Sequence, residues 1–164
     1  MRLIWTKANN PFSHLIRLVT GDDCSHFAFV FENGNRKGTV YESNLLGTHP
    51  AFLKTKLKSS TIVHEKEVKL SVEQEDALWD LVQDKYDGKP YDFFGALYLG
   101  WRKILNRFFN FPMPLVNKWA RGDHYFCDEI YDILNHIEGF PKLNVGAGLQ
   151  TPCDVWKNLR GFAE

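Results

Sequence analysis

The stretch DDCSHFAFVF, residues 22–31, decides how the chain is read. Strict alternation puts Cys24, His26, Ala28 and Val30 on one face of a strand, with Ser25, Phe27, Phe29 and Phe31 on the other. An imidazole therefore shares a face with small apolar side chains at the head of a strand. The fold follows from what the rest of the chain sets against it.

The next residues, ENGNRKG at 32–38, are a hairpin signal, and the strand they lead into spans 39–43. With the loop centred on Gly34, the numbers of facing residues sum to 68, and His26 stands directly across from Glu42. A two-residue turn at Asn33-Gly34 instead makes the sum 67, places Tyr41 opposite and sends Glu42 to the other face. A carboxylate beside an imidazole holds its orientation and fixes its tautomer.

Outward from this hairpin, residues 1–70 read as β-rich, with strands at Leu3–Thr6, 24–31, 39–43 and 61–69. Leu15–Val19 fits either a strand or a helical turn. The remainder reads as helices. Ser71 with Gln74 resembles a capping box ahead of a stripe of Leu78, Leu81, Val82 and Tyr86, stopped at Asp87-Gly88. A second helix is expected over Asp92–Asn106 with Phe94, Leu97, Trp101, Ile104 and Leu105 inward. A third lies in DHYFCDEIYDILNHIEG, with Cys127 in its first turn or two, and Thr151-Pro152 opens a short last helix to Leu159. No internal repeat or linker interrupts the chain, so residues 1–164 are read as a single domain.

Lysine plus arginine equals aspartate plus glutamate at 20 each, so no global field draws the chain to nucleic acid. Residues 1–18 lack the apolar core and cleavage site of a signal peptide, and no window offers a membrane span. The expectation is a cytoplasmic protein, with a phage product or an enzyme released by lysis reading the same way. Three cysteines, Cys24, Cys127 and Cys153, form an odd set without CxxC spacing and are read as free thiols.

Among them Cys127 has the best setting for a nucleophile, because N–H groups at a helix start stabilise both a thiolate and a developing oxyanion. Cys24, on the strand, and Cys153, near the last helix, are weaker candidates. A rival constellation joins Cys24, His26, His124 and Cys127 as two thiolates and two imidazoles for zinc, although its spacing is unusually tight. A structural role for each residue is the third alternative.

With the order His, acid, Cys in view, the chain resembles the circularly permuted papain-like cysteine peptidases, the YiiX-like relatives of NlpC-type hydrolases. Lecithin:retinol acyltransferases form another branch of that group. The carrying pieces are PFSHLIRLVTGDDCSHFAFVF, TVYES, GKPYDFFGAL, HYFCDEIYDIL and TPCDVWKNL, in order from about Pro11 to Leu159. The resemblance implies an α+β, permuted papain-like (NlpC-like) fold, an antiparallel sheet or partial barrel packed against helices, with the His strand before the Cys helix.

It further implies Cys127 as nucleophile, His26 as general base and acid, and Glu42 as the orienting carboxylate. Tyr91, Asp92 and Phe126 are candidate oxyanion or substrate contacts. The sequence departs from the family's pattern in the Phe126 and Asp128 that flank the cysteine, where a small residue is usual.

The chemistry this implies is hydrolysis of an amide in a peptide-like or cell-wall substrate through a thioester acyl-enzyme, with no cofactor or metal required. The alternatives are a lipid-directed acyltransferase or thioesterase on the same fold, and a non-catalytic binding domain. The lipid alternative draws on residues 91–111, an aromatic stretch with Arg102, Lys103 and Arg107 that can lie on a membrane surface. The preferred reading of that stretch is a core-packing helix with a solvated basic edge.

Overall fold

The computed structural model describes residues 1–114, 117–119, 123–125, 129–136 and 150–160. A five-stranded antiparallel sheet is built from β1 (Arg2–Ala8), β2 (His26–Phe31), β3 (Thr39–Asn44), β4 (Gly47–Phe52) and β5 (Ser60–Glu67). The strand order is β4-β3-β2-β1-β5. Around it stand α1 (Pro11–Thr20), the single-turn α2 (Leu53–Lys56), α3 (Val72–Tyr86), α4 (Phe93–Phe109), a 3-10 helix over Glu129–His136, and α5 (Pro152–Leu159). The architecture is α+β.

Alternation gives the sheet two unequal faces. Leu3, Trp5, Phe27, Phe29, Phe31 and Tyr41 point into the larger core, where Leu78, Val82 and Tyr86 of α3, Ile133 and Leu134, and Val155 and Leu159 of α5 cover them. Burying side chains of this size stabilises the fold by roughly 1.5–3 kcal/mol each. The opposite face carries a smaller cluster of Ile4, Ala28, Val30 and Val40, partly covered by Leu53 and Ile62. His26 and Glu42 share the parity of that thinner face.

Local chemistry sets the helix starts. Ser71 and Gln74 form the capping box of α3, Thr151 and Asp154 form another at α5, and Asn10 caps α1 with Pro11 in its first turn. Leu15–Val19 is thus helical. Two elements carry no sequence signal: β4, an edge strand that tolerates Pro50, and the short α2.

Helix α4 corrects the expected inward face. Phe94, Leu97 and Trp101 are about half exposed, while Gly95, Tyr98 and Leu99 are the buried residues. The helix is amphipathic, but its buried stripe is the one made of smaller residues and a tyrosine.

The cysteine expectation is also corrected. Cys24 and Cys153 form a disulfide, with Cα atoms 5.9 Å apart, a separation that suits a bridge. Alternation fails at this point because β2 begins only at His26. Cys24 turns into the larger core, and Ser25 hydrogen-bonds Ser13 of α1 through hydroxyls 2.6 Å apart.

Candidate active site

The β2–β3 register is neither of those expected. Phe29 faces Tyr41, Val30 faces Val40 and Phe31 faces Thr39, so facing numbers sum to 70. The loop is longer because Gly34–Arg36 form a 3-10 turn and Gly38 N–H returns to the Phe31 carbonyl. Buried Glu75 of α3 braces the loop, accepting from the Glu32 and Asn33 backbone and from the Asn33 side chain. Since 70 and 68 have the same parity, Glu42 keeps the face expected of it but moves one diagonal step from His26. Long side chains span such diagonals.

The contact is made. His26 Nε2 lies 2.6 Å from Glu42 Oε2, and among the described residues Nδ1 is the ring nitrogen left for a third group. Glu42 is only 5% exposed. Its Oε2 also accepts from Lys56 Nζ of α2, and its Oε1 from Asn44 Nδ2 at 3.2 Å. No sequence reasoning singled out Lys56 or Asn44. Asn44 lies two residues from Glu42 on the same face and was open to inference, whereas Lys56 depended on an undetected helix.

The electrostatics sort the charges. Burial would raise the Glu42 carboxyl, but His26 and Lys56 together outweigh it and hold the group well below the usual carboxylate range. Burial, aided by the charge of Lys56, pushes the His26 imidazole below its ordinary value against the pull of Glu42. The resting pair at neutral pH is therefore a carboxylate and a neutral imidazole, the form that can accept a proton.

His26 and Glu42 line a cleft of about 660 Å³. Thr6, Ser13 and Ser25 add hydroxyls to its wall, Phe12, Ile16, Leu45 and Leu46 add apolar surface, and Tyr91 also lines it. Tyr91 is delivered by Gly88–Lys89, which runs beside β4: Thr48 N–H donates to the Lys89 carbonyl and Gly88 N–H to the Thr48 carbonyl, both at 2.9 Å.

Asp92 has a different place. It is fully buried and caps α4, accepting from Gly95 N–H at 2.9 Å, so it belongs to the helix start and not to the cleft wall. Phe126 and Cys127 lie outside the described residues. The zinc constellation does not assemble from its described members: Cys24 is bonded to Cys153 in the larger core, His26 engages Glu42, and His124 Nδ1 contacts Asp123 at 2.6 Å.

The chain approaching Cys127 is anchored. Tyr125 N–H donates to the Pro90 carbonyl, its own carbonyl accepts from Asp92 N–H, and Ser43 Oγ donates to that same carbonyl. Tyr125 thus sits at the end of β3, one residue along from Glu42 and next to the segment that carries Tyr91. Beyond it, Ile133 and Leu134 pack on the larger core.

No match was found. Neither a protein-family model, nor a curated protein, nor a solved structure corresponds to this chain. The site's chemistry therefore rests on its own geometry. Among the described residues, no helix is long and apolar enough to cross a membrane.

Proposed function

We propose that the chain is a cysteine hydrolase of the permuted papain-like, NlpC-related kind, acting on amide bonds of peptide-like substrates. The observation that carries this reading is the 2.6 Å contact between His26 and Glu42 in the wall of the cleft, with the second imidazole nitrogen left over among the described residues. An oriented neutral imidazole is the base half of a nucleophilic triad. The order of elements agrees: the His strand, the acid strand, then the segment bearing Cys127.

In this reading His26 takes the Cys127 thiol proton as sulfur attacks the carbonyl carbon. Backbone N–H groups near Cys127 hold the oxyanion. Collapse breaks the C–N bond, and His26 passes its proton to the leaving amine. Water then attacks the thioester, gives its proton through His26, and the carboxylic acid product leaves with the thiol restored. Tyr91 is the side chain in the cleft wall suited to contact substrate. Tyr125, two residues before Cys127, is anchored to Ser43 at the end of β3 and packs on the larger-core face, so the reading requires the chain to turn from there toward His26 and Glu42.

The test is the pH dependence of Cys127 alkylation by iodoacetamide in the wild type and in His26→Ala. Reaction well below pH 8.5 that disappears in the variant supports the pair. Ordinary thiol behaviour in both proteins removes the catalytic reading.

One observation favours a second reading, a lipid-directed acyltransferase or thioesterase. Phe93, Phe94, Leu97, Trp101 and Phe108 are exposed along one face of α4, and Arg107 lies beside them. A stripe of this kind suits the headgroup boundary of a bilayer. Co-sedimentation with phosphatidylglycerol vesicles, compared between wild type and Leu97→Ser/Trp101→Ser, decides between free peptide-like and membrane-held substrates.

A further inference from the structure

The Glu42 carboxylate has more partners than a simple orienting acid needs. Oε2 accepts from both His26 and Lys56, and Oε1 from Asn44. The lysine reaches it for local reasons. Leu53 N–H is pinned to the Gly38 carbonyl at 2.9 Å, and Leu53 packs on the small cluster of the thinner face. One helical turn later the same side of α2 presents residue 56. The Lys56 carbonyl accepts from Ser60 Oγ at 2.9 Å, which fixes the end of the turn. The Lys56 side chain is only 10% exposed.

A cation this deep is costly unless paired, and a deep carboxylate with only a neutral imidazole for company is costly too. The arrangement meets both demands at one oxygen. We propose that Lys56 is a positioning residue of the site: its ammonium holds the Glu42 carboxylate in place and balances its charge, so that His26 receives orientation without being forced into its charged form. The role rests on the hydrolase reading for its purpose. It also has a readout of its own.

Among the described residues, the titratable and charged groups facing His26 are Glu42 from β3, Lys56 from α2 and His49 from β4. Of these Lys56 and His49 oppose imidazole protonation and Glu42 favours it. Removing the lysine charge leaves Glu42 the stronger influence.

The experiment is an NMR titration of the His26 ring protons in the full chain, comparing wild type, Lys56→Met and Lys56→Arg. The neutral variant is expected to raise the His26 midpoint by roughly one pH unit, and the arginine variant to stay within about 0.3 of wild type. Should the Met variant not fold, Lys56→Gln keeps a donor to the carboxylate and carries the same expected rise. A midpoint unmoved in the neutral variant, or moved equally in Lys56→Arg, overturns the assignment.

Because the midpoint is read without turnover, failure of the hydrolase reading leaves this result standing. Hydrolysis that persists alongside an unmoved midpoint removes Lys56 alone. In an active enzyme the acidic limb of the pH–rate profile moves up with the midpoint, which a merely structural lysine would not cause.

Discussion

Ser43 Oγ donates a hydrogen bond to the carbonyl oxygen of Tyr125, tying the residue after Glu42 to the residue two before Cys127. The bond links β3 to a segment 82 positions further along the sequence. Replacing Ser43 by Ala removes one hydrogen bond, about 1 kcal/mol. The expected result is a several-fold drop in the rate of Cys127 alkylation at neutral pH, with the urea midpoint lowered by no more than the several tenths of a molar that about 1 kcal/mol accounts for. Ser43→Thr, which keeps a hydroxyl, should restore much of the rate.

The Glu42 cluster makes stability depend on acidity. A carboxyl held below its ordinary value in the folded chain stabilises fully above its unfolded value of 4.5, and the benefit is lost as pH falls through the folded value. His26, pushed below 6.5, acts with the same sign: its unfolded form takes up protons first, so stability begins to fall as pH drops under 6.5. Urea unfolding from pH 8 down to pH 3 should therefore show a two-stage loss. Glu42→Gln should flatten the lower stage and, by leaving Lys56 unpaired, cost about 3–5 kcal/mol at pH 7.

Thiol counting checks the disulfide directly. In denaturant without reductant one thiol per chain is expected, Cys127, and three after reduction. The bridge closes a long loop, 129 residues apart, for which chain entropy alone gives a contribution of about 4–5 kcal/mol. Cys24→Ser/Cys153→Ser should lower stability by an amount of that order, and three free thiols in the unreduced chain would contradict the pairing.

Gly47 has φ +102°, and a Cβ added there would lie 2.7 Å from the Lys89 carbonyl oxygen. Gly47→Ala is expected to cost about 1–3 kcal/mol through strained backbone, and to push the 88–91 segment from the start of β4. The second effect separates this position from ordinary destabilising changes: the chemical shifts of Tyr91 should move while those of α3 stay in place.

How much of this was legible in the sequence depended on the range of the interaction. The capping residues Ser71, Gln74, Thr151 and Pro152 announce their helices because a cap is satisfied within a few residues. The His26–Glu42 pairing survived an error in loop length because the error was two residues, and face depends on parity alone. The Cys24–Cys153 bridge and the Lys56 contact were not legible, since each is made by elements brought together only by tertiary folding. The α4 face was misread for a related reason: periodicity shows that a stripe exists but not which neighbour it meets.

The disulfide between Cys24 and Cys153 makes most of the polypeptide a covalent ring. Any single backbone cut between those residues, for example in the exposed Gly34-Asn35 turn, leaves the two pieces attached to one another. Continuity of the chain and integrity of the molecule are then separate properties. The protein can be nicked, or its ends relocated, without β2 and α5 parting company.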